Sequence, residues 1–150
     1  MEYFEDIKIG GKVEYPEAHE LTKEEIISVA QQWDPQPFHV DEEAAKESFF
    51  GGLVAASTHL FGIATKVTHS ATEVRAAISA LGFNEVKVAA PARPGDILRG
   101  RAECLSKRES KSKPGVGIVE DKLELYNQRG EVVYTHICAA LYKKRSESNT

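Results

Sequence analysis

Apolar and polar residues alternate along this chain with two periods, and the change of period divides it in two. Over the first part the apolar positions recur at helical spacing. Ile26, Ile27, Ala30 and Trp33 share one face of a helix of about three turns. Thr22-Lys23-Glu24-Glu25 ahead of them reads as a capping box, the threonine oxygen taking an amide while Glu25 reaches back. Asp34-Pro35 ends this helix, because the residue before a proline is pushed out of the helical region. Asp41 is placed to cap a short helix over Glu42 to Glu47 with acids in its first turn. Phe49-Phe50-Gly51-Gly52 is a break. Leu53 to Val67 then reads as a second long helix with almost no polar face, and such a helix is buried and needs something to wrap it.

From Ile78 onward the period shortens to two. Val86, Val88 and Ala90 alternate, Pro91 to Asp96 makes a turn, and Ile97 to Cys104 alternate again. Lys113-Pro114-Gly115 and Asn127-Gln128-Arg129-Gly130 are further turns, leading into strands at Val116–Tyr126 and Val132–Tyr142. Long strands joined by tight turns predict an antiparallel meander. Gly10-Gly11 and Pro16 predict short strands around Lys12 to Tyr15 and near His19. Residues Ser70 to Ala77 are a helix end or a loop, and Lys143 to Thr150 a frayed tail. A helix apolar on all sides beside a long antiparallel sheet predicts that the sheet curls around the helix. That is an α+β domain of hotdog type, expected over residues 1–145 with a flexible tail at 146–150.

Composition narrows the function. The 150 residues can bury a sizeable core as one domain. A net charge of −4 argues against a general nucleic-acid binder. The acidic start Met1 to Asp6 lacks the layout of a signal peptide, and Lys66 and His69 cut the longest apolar run below membrane-spanning length. Cys104 and Cys138 make neither a disulfide framework nor a zinc spacing and read as two reduced thiols. The expectation is a soluble cytoplasmic protein that contacts neither nucleic acid nor membrane. No His/Cys/Asp/Glu set has metal-ligand spacing, so no metal is expected.

The candidate chemistry begins with Asp34 and His39. Five positions apart on a turn with two prolines, their side chains can converge on one water or substrate atom. A carboxylate and an imidazole suit general acid–base catalysis. The same stretch also serves as a plain helix terminator followed by a loop histidine. Gly51-Gly52 precedes the apolar helix, where free amides can stabilise a carbonyl oxygen or where paired glycines simply allow a sharp bend. Ser57, read as a buried hydroxyl on the second helical turn, lacks a nucleophile elbow and is placed to orient a partner instead. Arg93, Lys107, Arg108, Lys111 and Lys113 read as solvated strand ends.

With these residues in view, the chain resembles the MaoC-like dehydratases, which include the (R)-specific enoyl-CoA hydratases. The family motif Asp-x-Asn-Pro-x-His is matched by Asp34-Pro35-Gln36-Pro37-Phe38-His39, followed by the acidic helix Asp41-Glu42-Glu43-Ala44-Ala45. Phe50-Gly51-Gly52-Leu53-Val54-Ala55-Ala56-Ser57 looks like its helix start, and Pro91-Ala92-Arg93-Pro94-Gly95-Asp96 like its turn before a strand. Gln36 departs from the usual Asn and Trp33 from a common Gly; both bear on the substrate more than on the pair. The resemblance implies a homodimer and a cofactor-free reversible hydration of a 2-enoyl thioester, on CoA or acyl-carrier protein, to a (R)-3-hydroxyacyl thioester. Asp34 and His39 would hold the water. The Gly52 amide, with Gly51 beside it at the helix N-terminus, would hold the carbonyl, and Ser57 would orient. The alternatives are a hotdog acyl-CoA thioesterase and a catalytically silent acyl-binding hotdog protein.

Overall fold

A computed structural model of the chain describes residues 1–146. The sheet contains β1 (Lys12–Glu14), β2 (His19–Glu20), β3 (Ala77–Val88), β4 (Ile97–Glu109), β5 (Val116–Tyr126) and β6 (Val132–Lys143), and all the pairings between them are antiparallel. β4, β5 and β6 form the expected meander, with Gly115 and Gly130 at positive φ (80° and 79°) in its two turns. β3 departs from it. It pairs with β6 on the far side, giving the order β1-β4-β5-β6-β3, with β2 on β4. The physical reason lies in the Pro91–Asp96 turn, which pairs elsewhere instead of folding β4 back on β3. The Ala92 carbonyl accepts the Ala55 N–H at 2.9 Å, and Gly95 and Asp96 bond the backbone of Leu21 at 2.7 and 2.8 Å.

The helices are α1 (Lys23–Trp33), α2 (Pro37–Val40), α3 (Glu42–Lys46) and α4 (Ser57–Thr68). α4 lies on the sheet with His59, Leu60, Ile63, Ala64 and Val67 buried. Its apolar side chains meet Leu98, Leu123, Leu125, Val133 and Tyr134 from β4, β5 and β6, and Leu21 and Ile26 close the cluster. Full burial of each such aliphatic side chain stabilises by about 1.5–3 kcal/mol. The helix approaches β4 closely at Gly100, where an added Cβ would lie 2.7 Å from Val67 Cγ2. A second cluster gathers Phe4, Ile7, Cys104, Val119, Ala140 and Tyr142. Here a 3-10 turn at Phe4–Asp6, not anticipated from the sequence, lays Phe4 over Gly117, where a Cβ would meet the ring at 2.3 Å.

Four expectations are corrected. The second long helix starts at Ser57, not Leu53. Leu53 to Ala56 are buried but extended, because the N–H groups of Val54 and Ala55 donate to the carbonyls of Phe38 and Ala92 at 3.3 and 2.9 Å. α4 is also not apolar all round: Ser57, Thr58, Gly62, Thr65 and Lys66 are exposed. The impression of an unbroken apolar helix came from adding the extended residues to it. On α1, Trp33 is 72% exposed and leaves the buried face to Ile26 and Ala30. At the other end, Lys143 closes β6 and the Lys144 N–H donates to Gly115 at 3.0 Å. Arg145 docks on Glu5 and Asp6, so the frayed tail does not begin at Lys143. Residues 147–150 of the expected tail lie outside the described residues.

Candidate active site

Asp34 is the C-cap of α1, its N–H still bonded to the Ala30 carbonyl at 2.8 Å while its backbone leaves the helical region ahead of Pro35. The chain turns through Gln36 into α2, where Pro37 occupies the first helical turn and supplies the φ that the turn needs. That single turn lifts His39 back toward Asp34. The His39 ring is buried and its Nδ1 lies 2.6 Å from the carbonyl oxygen of Val54. A carbonyl only accepts, so Nδ1 carries the proton and Nε2 of the neutral ring presents its lone pair. Nε2 stands 3.4 Å from Asp34 Oδ2, and the Asp34 side chain keeps 32% of its surface exposed.

Two acceptors facing each other at that distance do not bond directly. A water seated to one side, about 2.8 Å from each, can give one hydrogen to each. The turn sequence therefore brings a carboxylate and an imidazole together at one point. Phe38 backs it, edge-on to His39 at 4.5 Å between ring centroids and tilted against Phe50 at 5.2 Å.

The glycines and the serine sit differently from expectation. Gly51 has φ 67° and closes the turn after Ser48, while Gly52 lies beside Arg93, whose guanidinium donates to the Phe50 carbonyl at 2.6 Å. Neither glycine is at a helix N-terminus, since residues 53–56 run extended before α4 begins. The reading of Gly51-Gly52 as a helix start is thereby corrected. Ser57 is the first residue of α4 and is exposed, not a buried second-turn hydroxyl. Its N-cap neighbour is Ala56, which offers no side-chain acceptor to the first amides of the helix. Ser57 follows Val54 by three residues, within about 10 Å of extended chain from the His39 anchor.

The model of the MaoC-like domain matches residues 5–127. The chain belongs to the MaoC-like domain family. Among solved structures it is similar to the MaoC-like dehydratase of Rhodospirillum rubrum, with 34% identity, a TM-score of 0.89, and 96% of this chain and 98% of that one covered. It also shares its fold with the unliganded (R)-hydratase PhaJ1 of Pseudomonas aeruginosa, at TM-score 0.73 and 19% identity over 95% of this chain and 86% of that one. The Bacillus subtilis protein YdeM, itself uncharacterized, is 27% identical over 135 residues, 89% of this chain and 94% of its own length. The MaoC-like chain described above thus has the hotdog fold that its sequence pattern predicts.

Within this MaoC-like fold Gln36, the departure from the usual motif, is exposed and makes no side-chain cap to α2. Two features of the site escaped sequence reading. The Val54 carbonyl that fixes the His39 tautomer is a backbone group and leaves no trace in residue type. The other is a cluster formed by His19, Glu25 and His59, six and thirty-four positions apart, which metal-spacing rules do not find. Its one sequence signal is Glu25 itself. Thr22 caps α1 as expected, accepting the Glu25 N–H at 3.2 Å, but the Glu25 carboxylate turns to the Nε2 of His19 at 2.7 Å. Burial holds the His59 imidazole below its ordinary pKa, and the Glu25 carboxylate opposes that shift. Burial likewise lowers His136, whose Nδ1 lies 2.9 Å from the Tyr134 hydroxyl, and pushes that tyrosine up to about 12.

Proposed function

We propose that the protein is a reversible enoyl-thioester hydratase, adding water to a 2-enoyl-CoA or acyl-carrier-protein thioester to give a (R)-3-hydroxyacyl thioester. The observation that carries this reading is the His39 ring, anchored through Nδ1 to Val54 with Nε2 turned to Asp34. The pair holds the water. One of the two takes a proton from it as its oxygen bonds to C3, the C2=C3 π pair moves to C2, and a proton is delivered there. Dehydration runs the same steps backward.

Charge that builds on the thioester oxygen during the reaction needs a donor. The amides at the uncapped start of α4, around Ser57, are better placed for this than Gly52, because helix N-terminal N–H groups and the helix dipole favour negative charge. Ser57 is exposed there and orients the acyl carbonyl or the water. No cofactor enters this chemistry.

The same reading includes a homodimer. β3 carries Ile78, Leu81, Phe83, Val86 and Val88 exposed, and its outer edge pairs with no other strand among the described residues. A long apolar edge of this kind invites pairing, and the β3 of a second copy is its natural complement. Among the described residues no helix is long and apolar enough to cross a membrane, and both cysteines are free, which fits a reducing cytoplasm.

Incubation with 2-enoyl-CoAs of increasing chain length tests the proposal. Loss of enoyl absorbance without thiol release supports it; thiol release with the enoyl group intact would make the protein a thioesterase instead.

A further inference from the structure

Outside the Asp34–His39 pair, His19, Glu25 and His59 form a cluster with no role in the proposed reaction. His19 on β2, Glu25 on the first turn of α1 and His59 on the first turn of α4 each bring one ligand atom within 4.8 Å of the others. Three separate elements therefore converge on one point.

We propose that His19, Glu25 and His59 bind a divalent cation of the zinc class, which ties β2, α1 and α4 together at the start of the central helix. Two imidazoles and a carboxylate are the donor set that zinc, cobalt, nickel and ferrous iron accept, whereas magnesium and calcium take oxygens.

The state of His59 points to a ligand. It is 6% exposed, and neither of its ring nitrogens has a hydrogen-bond partner. Its Nε2 lies 3.3 Å from Glu25 Oε2, an ion pair when the ring is protonated but outside hydrogen-bond geometry. A buried imidazole with both nitrogens unsatisfied is costly, and a cation bound at one of them removes part of that cost. Zinc bonds of about 2 Å at tetrahedral angles hold neighbouring donor atoms roughly 3.3 Å apart. The His59–Glu25 separation already has that value. The His19–Glu25 pair, at 2.7 Å, opens slightly as the cation takes the place of the proton they share. Glu25 contributes independently: its carboxylate forgoes the return bond to the start of α1 and faces the two rings. Three protein donors leave a fourth position for water.

One neighbour opposes the cation. Lys66 Nζ stands 3.4 Å from His19 Nδ1, the nitrogen that must carry the proton once Nε2 is a ligand. Lys66 is exposed and can swing out, but its charge weakens binding. Its replacement therefore has an effect opposite in sign to loss of a ligand.

The experiment uses the untagged full chain, freed of metal with a chelator. It is titrated with Zn2+ by calorimetry and with Co2+ by visible absorption, alongside thermal melts. The expected result is one ion per chain, a Kd in the micromolar range or tighter, and a Tm that rises with zinc. Glu25→Gln and His19→Gln each weaken binding at least tenfold, Lys66→Gln tightens it, and His69→Gln, at the exposed end of α4, leaves it unchanged. His59→Gln removes the buried ligand; if that variant does not fold, the Glu25 and His19 variants decide. A Kd above 1 mM, or binding that survives both Glu25→Gln and His19→Gln, overturns the site. So does loss of binding in His69→Gln.

Discussion

His39 donates its Nδ1–H to the Val54 carbonyl at 2.6 Å, and this bond decides which ring nitrogen faces Asp34. Val54 belongs to the extended segment that precedes α4, so the ring is held by backbone that the hotdog core keeps in place. In water the Nε2–H form of a free imidazole is open to exchange; here the carbonyl selects Nδ1–H. The ring nitrogens of His39, assigned by 15N NMR in the neutral ring, should show a pyrrole-like Nδ1 and a pyridine-like Nε2. The reverse pattern would contradict the proposed water-holding geometry.

Two glycines should respond to alanine with opposite signs. At Gly100 the new Cβ would be 2.7 Å from Val67, so Gly100→Ala forces α4 away from β4 and should cost about 1–3 kcal/mol. Gly62 lies inside α4 on its exposed side with nothing within 4 Å, and Gly62→Ala should stabilise by about 0.5–1 kcal/mol. Urea unfolding of both variants checks the pair. Equal effects would mean that α4 does not approach the sheet as described.

A charge on the free edge should break the dimer. Leu81 is exposed on β3, and Leu81→Lys places an ammonium in the proposed strand pairing. Light scattering should find a dimer for the parent chain and a monomer for the variant, with the circular dichroism of both alike. A variant that stays dimeric places the interface elsewhere.

Acid should destabilise the fold before its carboxylates titrate. Burial lowers His136 from its ordinary value of 6.5, so the unfolded chain takes the proton first. The neutral ring's contribution is fully present above that unfolded value. It is lost as pH falls through 6.5 toward the lower native pKa. His136→Gln should flatten the slope of stability against pH in this window without abolishing it, because His59 is shifted in the same direction. An unchanged slope would show that the His136 site is open to water.

What could be read ahead of the structure was whatever repeats along the chain. The Thr22 cap, the end of α1 at Asp34, the cap at Asp41 and the meander of β4 to β6 all follow from local residue chemistry. Leu53 to Ala56 are four buried apolar residues of a kind found alike in helices and extended segments; pairing with Phe38 and Ala92 decides between the two, and neither partner is local. The place of β3 beside β6 is likewise set by the chain around Pro91–Asp96, which docks on Leu21 and Ala55. Asp34 and His39 were visible as a motif. Val54 as their anchor was not, since its contribution is a carbonyl that every residue has.

The most direct test of the central claim is the rate of water addition to a 2-enoyl-CoA by the parent chain, Asp34→Asn and His39→Ala. Both variants should fold with an unchanged dichroism spectrum and lose turnover by about 10² or more, the usual scale for an acid–base group. A hydration rate that survives both substitutions would contradict the assignment of Asp34 and His39 as the water-holding pair.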